Sequence, residues 1–335
     1  MTVRTNTVSA VKYGPRRLGH CNLFVTDLER SMQFFNKVCG FEEVFRESAL
    51  DFGFLSNGNT HHDIGLCEIS AEARIGRDGH VQVAKERGNH AGLNHFGWEM
   101  ENEKLLVEAY NRAISVNQKI HRTTDHQISH SNYVFDPDGN LHEFYADAMT
   151  DWRTIFHGGT GPEISGDWDP NAAPPSNKPK FQDPFELRRV EQALVHPVKI
   201  THAVMLTPNL DAMVKFFTDV GGLEIVRPSL GDDIVCLVGT KSGHAYDIAL
   251  FKQSIDDENP VHHYSFNVAD EKEMEAAEAA LANNNIDVEF SVDSPFKRSL
   301  FIQDHDGQRF EFYTLRQNGL VTLFDVQPED RLYFI

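Results

Sequence analysis

Two histidines and a glutamate occur twice in this chain at matched positions: His20, His95 and Glu143 in the first half, His202, His263 and Glu311 in the second. Two imidazoles and one carboxylate form the facial set that holds Fe(II) and leaves the opposite coordination positions open to small molecules. The pattern points to metal-dependent chemistry on a duplicated scaffold, and it raises the question of which copy works.

The duplication is a matter of register. Leu18-Gly-His20-Cys-Asn-Leu-Phe-Val aligns with Ile200-Thr-His202-Ala-Val-Met-Leu-Thr at an offset of 202 − 20 = 182, and Phe35 with Phe217, Val38 with Val220 and Gly40 with Gly222 keep it. Later, Asn94-His95-Phe-Gly-Trp aligns with His262-His263-Tyr-Ser-Phe. Asp136-Pro-Asp-Gly-Asn-Leu-His-Glu143 likewise aligns with Asp304-His-Asp-Gly-Gln-Arg-Phe-Glu311, both at 263 − 95 = 168. The first copy therefore carries 182 − 168 = 14 additional residues between its two parts. Self-similarity of this length indicates duplication of a folding unit.

Local patterns suggest the elements that must position the six residues. Residues 18–26 read as a strand, and Asp27 to Val38 as a helix capped by Thr26 or Asp27 and ended by Gly40. Phe41–Phe45, Asp51–Leu55 and Asp63–Ile69 follow as strands, giving βαβββ. The order recurs with strand 93–100, helix 102–117 and strands ending in Asn132–Asp136 and Leu141–Ala146 around the turn Asp136-Pro-Asp-Gly. It recurs twice more from Lys199 and Val261. The expected architecture is α+β, with four βαβββ modules paired into two similar domains, 1–157 and 199–335. Residues 158–198 join them as a linker or lid, in which Gly158 to Lys180 is rich in Gly, Pro, Asn and Asp. Trp152, Phe156 and Trp168 either cover a pocket or pack as linker residues.

The 335 residues suffice for two packed domains. With 31 basic against 50 acidic residues and a formal charge of −19, the chain lacks the basic surface that nucleic acid requires. Neither a signal peptide nor an apolar run of membrane-spanning length is evident, so a soluble, cytoplasmic protein that does not enter membranes is expected. Cys21, Cys39, Cys67 and Cys236 lie in apolar segments without paired spacing and read as buried thiols rather than disulfides or a zinc ribbon.

These residues together resemble the vicinal oxygen chelate superfamily, whose fold is made of βαβββ modules, and within it the type I extradiol ring-cleaving dioxygenases. The resemblance covers about residues 17–315. Segments such as Gly19-His20-Cys-Asn-Leu-Phe-Val-Thr-Asp-Leu belong to the whole superfamily; more specific are Thr60-His61-His62-Asp63-Ile-Gly-Leu and His126-Gln-Ile-Ser-His130-Ser-Asn-Tyr133-Val-Phe-Asp-Pro-Asp-Gly. The resemblance implies a metal held by His20, His95 and Glu143, with Fe(II) as cofactor and Mn(II) as a substitute. It further implies that His62 is an acid/base and that His126 and Tyr133 contact the oxygens of a catecholic substrate, with O2 as co-substrate and a homo-oligomeric assembly.

Departures from the family pattern shape the expectation. Gln127 replaces the customary Gly, and the spacing from His126 to Tyr133 is short, so His130 is an alternative to His126. The family usually works through its C-terminal domain. Here, however, the second copy has Tyr246 where the first has His62, Phe301 where it has Tyr133, and Ser294 or no counterpart where it has His126. Catalysis is therefore expected in the first half. Pairing of modules across halves, joining His20 to His263 and Glu311, is the competing arrangement. A glyoxalase-like isomerase or a non-catalytic binding protein of the same fold are the competing functions. Gly65 and Ala249 stand where glyoxalases carry a fourth carboxylate ligand, which favours an open three-ligand site.

Overall fold

The computed structural model describes residues 10–76, 79–156, 166–226, 232–253, 259–316 and 326–335. Two large mixed sheets organise it, one in each half. The first sheet has nine strands. In spatial order they are Gly166–Asp167, Arg122–Asp125, Ser129–Phe135, Leu141–Asp147, Gly92–Glu99, Arg17–Val25, Ile64–Glu68, Phe52–Ser56 and Glu42–Glu47. The second has eight, with Pro197–Thr207 and Val261–Val268 at its centre and Arg309–Leu315 beside the latter. All four βαβββ modules are present, paired within each half through antiparallel contact of their first strands. Crosswise pairing is overturned, because no strand of one sheet hydrogen-bonds to the other sheet.

Each module begins with a strand that enters a helix, and in three of the four the entry turn carries a side-chain cap; Asn209 of the third makes none. Asp27 accepts from Arg30 N, Asn102 from Leu105 N at 3.0 Å and Asp270 from Glu273 N at 2.9 Å. Such caps satisfy backbone donors that the first helical turn leaves free. Of the two cap candidates in the first module, Asp27 is the one used. Gly40 leaves the helix at φ 81°, where a Cβ would lie 2.1 Å from the carbonyl oxygen of Val195, so both conformation and space demand glycine.

The halves share one apolar core. Phe35 meets Phe310 edge-on with centroids 5.0 Å apart, Phe41 meets Phe266 at 5.2 Å and Trp98 meets Phe217 at 5.8 Å. Burial of each such ring contributes about 2 kcal/mol. A polar contact reinforces the junction, Leu18 N donating to Asp247 Oδ1 at 2.9 Å, and within the first half Arg16 and Arg17 both reach the buried Glu99 Oε2, at 2.7 and 2.9 Å. The four cysteines are free and buried, as expected. No helix among the described residues is long and apolar enough to cross a membrane.

Because Glu68 is equivalent to Lys252 (252 − 68 = 184), the first half has two residues fewer before Glu68 and 184 − 168 = 16 more between Glu68 and Gly92. There the strands Arg74–Ile75 and Val81–Val83 pair antiparallel as a small separate hairpin that the sequence did not suggest.

Candidate metal centre and its pocket

Strand register brings the first triad together. His20 lies opposite Gly97, Gly97 opposite Glu143, Glu143 opposite Tyr133 and Tyr133 opposite Arg122, a single row across five strands. Residues in such a row project from the same face of a sheet. Because Gly97 has no side chain, His20 and Glu143 meet above it, with Nε2 and Oε2 2.8 Å apart. A Cβ at Gly97 would lie 2.0 Å from His20 Nε2. From the next row, His95 brings its Nε2 to 3.2 Å from the same carboxylate oxygen.

The carboxylate's other oxygen is held separately. Glu143 Oε1 accepts from Ser131 Oγ at 2.5 Å and from the Tyr133 hydroxyl at 2.9 Å. Burial pushes the carboxyl up, but the neighbouring His20 and His95 rings outweigh it and hold the group well below the usual range. Burial lowers the His20 pKa to about 4 and also lowers that of His95, so both rings are neutral. Neutral imidazoles beside an ionised carboxylate are in the protonation states that metal binding requires. His95 Nδ1 donates to Asn94 Oδ1 at 3.1 Å, which leaves its Nε2 lone pair facing Glu143 Oε2. Two acceptors in contact ask for a cation between them, and the His20/His95/Glu143 donor set fits a divalent metal.

The triad opens into a cavity of about 820 Å³, counted with its mouth. Phe45, Phe52, Phe54 and Leu66 form an apolar wall; His62, His126 and Tyr133 present polar atoms. His126 Nε2 donates to the Tyr133 oxygen at 3.0 Å. The ring of His62 lies 4.1 Å from that of His20, and its Nε2 bonds Asn22 Oδ1 at 3.0 Å, leaving Nδ1 as the basic nitrogen. Asn22 lies over Gly65, where a Cβ would meet its Oδ1 at 2.2 Å, so the place of a glyoxalase-type fourth ligand is covered by an amide. Gln127 adopts φ 64°, a left-handed conformation that favours Gly.

The second triad is built differently. His202 and His263 approach Glu311 Oε2 only to 3.7 and 3.8 Å, and that oxygen accepts instead from Ser265 Oγ at 2.7 Å. Lys297 Nζ, itself buried, lies 2.6 Å from Glu311 Oε1 and also donates to the backbone oxygen of Ile335 at 2.8 Å. Residues 328–334 form a 3-10 turn from which Tyr333 stacks on Phe290 at 4.1 Å, and Ile335 packs with Val204, Tyr246 and Ala249.

Several expectations need correction. His130 is no substitute for His126: its Nδ1 lies 2.7 Å from Glu103 Oε1 and its ring stacks on Trp168 at 4.6 Å, outside the cavity. Trp152 and Trp168 do not line the cavity, the side chain of Phe156 lies outside the described set, and no described residue of 158–198 forms the wall. The covering role belongs in part to the hairpin, through Gln82 and Val83. Cys67, read only as a core thiol, is also on the wall. Sequence reasoning missed Arg122, whose guanidinium sits 4.5 Å from the Tyr133 ring centre and donates to the Gln82 carbonyl at 3.1 Å. Its place in the lateral row was the available signal. His61, next to His62, forms a further group of nearby ligand atoms with His20, but one lacking a carboxylate.

Comparison with known proteins agrees with this architecture. The family model of the Glyoxalase/Bleomycin resistance protein/Dioxygenase superfamily matches residues 17–144 and 199–312. A catechol-2,3-dioxygenase of Bacillus subtilis (strain 168) is 26% identical over 239 residues, 70% of this chain and 73% of that protein. Among solved structures, the 2,3-dioxygenase LapB from Pseudomonas sp. KL28 superposes with a TM-score of 0.61 at 19% identity, covering 91% of this chain and 93% of that one. A Mn(II)-bound glyoxalase from Novosphingobium aromaticivorans gives 0.62 at 17%, covering 91% and 83%. At these identities the two structures speak for the fold alone. With both halves matched over most of their length, the chain belongs to the Glyoxalase/Bleomycin resistance protein/Dioxygenase superfamily.

Proposed function

We propose that the first half is an extradiol dioxygenase site, in which a catecholic substrate and O2 meet at a metal held by His20, His95 and Glu143. The carrying observation is the asymmetry between the halves. The acid/base and phenolic groups His62, His126 and Tyr133 line the cavity into which the first triad opens, and the second copy has Tyr246, Ser294 and Phe301 at those positions. The catechol-2,3-dioxygenase relative supports the same chemistry. A ferrous ion at this triad supplies a Lewis acid for the diol oxygens and a redox link between diol and O2, and Mn(II) suits the same ligands.

The chain's own residues do the rest. The Phe45, Phe52 and Phe54 wall packs against the aromatic ring and excludes water. Tyr133 and His126, already hydrogen-bonded to each other, orient a substrate oxygen, and Nδ1 of His62 accepts a proton from the diol. Both oxygen atoms enter the ring-opened product, so no external reductant is needed. An isomerase of glyoxalase type is disfavoured because Asn22 covers Gly65. The test is anaerobic loading with Fe(II) followed by air and a panel of catechols. Yellow ring-fission product should vanish in Glu143→Ala and persist in Glu311→Ala; the reverse result, or no product from any catechol, overturns the reading.

A further inference from the structure

We propose that one position on the middle strand of each half, Gly97 in the first and Ser265 in the second, decides whether the adjoining His/His/Glu set accepts a divalent cation, and that Lys297 stands in for the cation in the second. The proposal rests on the reading of His20, His95 and Glu143 as a metal site.

The two positions are equivalent, since 265 − 97 = 168, the offset that also relates His95 to His263 and Glu143 to Glu311. Each lies between the ligand histidine and glutamate in its row: His20, Gly97, Glu143 in one sheet, His202, Ser265, Glu311 in the other. Gly97 is not in the left-handed region, so its backbone conformation does not require glycine. Space does, because any Cβ would occupy the place of His20 Nε2. Ser265 fills that place in the second half, and the separation of histidine and carboxylate grows from 2.8 to 3.7 Å. Donors bound to one metal at about 2.1 Å in cis positions lie about 3 Å apart, which the first set matches and the second exceeds.

Charge points the same way. Glu143 oxygens are held by neutral donors, whereas Glu311 already carries an ammonium on one oxygen and a hydroxyl on the other. A dication placed beside His202 and His263 would share a buried carboxylate with Lys297, at a distance where like charges repel strongly. Residue 297 is equivalent to Ser129, since 297 − 168 = 129, so the charge has been introduced in one copy only. The Nε2 atoms of His202 and His263 have no hydrogen-bond partner among the described residues. They remain available ligands, blocked by two neighbours.

The experiment is equilibrium dialysis of the chelator-stripped full chain against Mn(II), with metal per chain and melting temperature as readouts. Wild type and Glu311→Ala should each bind one Mn(II), Glu143→Ala none, and Ser265→Gly/Lys297→Ser two. Gly97→Ala should bind about 100-fold more weakly. Its lost melting temperature should be recovered in Gly97→Ala/His20→Ala, which removes the clashing ring. Should Ser265→Gly/Lys297→Ser fail to fold, the volume-conserving Ser265→Gly/Lys297→Met replaces it with the same expectation. Two Mn(II) on wild type, with one lost in Glu311→Ala, overturns the proposal, as does a folded double variant with no added ion or full affinity in Gly97→Ala. No Mn(II) on wild type but one on the double variant would sink the reading of the first triad while upholding the switch at position 265.

Discussion

Replacing Tyr133 by Phe separates holding the metal ligand from steering the substrate. The hydroxyl donates to Glu143 Oε1 at 2.9 Å and accepts from His126 Nε2 at 3.0 Å, in a fully buried setting. Its loss leaves Oε1 with the shorter bond from Ser131, 2.5 Å, so the carboxylate stays in place. A hydrogen bond involving a charged partner is worth about 1.5–3 kcal/mol. If that interaction acts on the bound diol in the transition state, kcat/KM falls roughly 10- to 150-fold, at about 1.4 kcal/mol per decade. The assay is the initial rate of ring-fission chromophore formation on Fe(II)-loaded protein, paired with iron content. Iron should remain at the wild-type level. Iron lost in proportion to activity would mean that Tyr133 holds the ligand, and an unchanged rate would remove it from the mechanism; either refutes the reasoning.

Other perturbations follow from the same contacts. His62→Ala should lower the rate about 100- to 10,000-fold, as loss of a proton acceptor does, with metal content retained; loss of the metal would make His62 a ligand instead. Asp304 is pushed up to about 7 by burial; its Oδ1 accepts from Asp306 N and Gln308 N, and its Oδ2 has no partner among the described residues. A carboxyl whose folded pKa is raised above its unfolded value of 3.8 binds its proton more tightly when folded, so its contribution is present at low pH and is lost as pH rises from about 4 to about 7. Asp304→Asn keeps both backbone bonds and should be the more stable protein at pH 8, by up to about 4 kcal/mol, with the difference shrinking toward pH 4 in urea melts. A pH-independent difference would reject the account. Glu99→Ala leaves the buried Arg17 guanidinium without its carboxylate, while Arg16 keeps Glu101 and Asp183, and should cost about 3–5 kcal/mol of unfolding free energy; a loss under 1 kcal/mol would contradict it.

Much of the site was legible because strand chemistry is local and the chain repeats itself. A period of two on a strand fixes the face on which His20, His95 and Glu143 lie, and the constant offsets separated them from the other histidines. His62, His126 and Tyr133 were legible by resemblance, and the structure places all three around one cavity. His130 was harder to place: it lies on the strand Ser129–Phe135 whereas His126 lies in the turn before it, and the left-handed residue Gln127 in that turn separates their directions. The insertion was countable, but its hairpin was not, because two and three residues make a poor strand signal and its Gln82 carbonyl is held by the distant Arg122.

The sequence by itself therefore determined the duplication, the modular fold and the identity of the candidate ligands, all of which depend on spacing along the chain. Tertiary structure decided that modules pair within halves, and how the two ligand sets differ. That difference arises laterally: Gly97 and Ser265 matter because they are hydrogen-bonded neighbours of strands far away in sequence, and Lys297 reaches both Glu311 and Ile335 only after the sheet has curled. Side-chain alternation can be read along one strand, whereas what stands beside a ligand in the next strand is set by register.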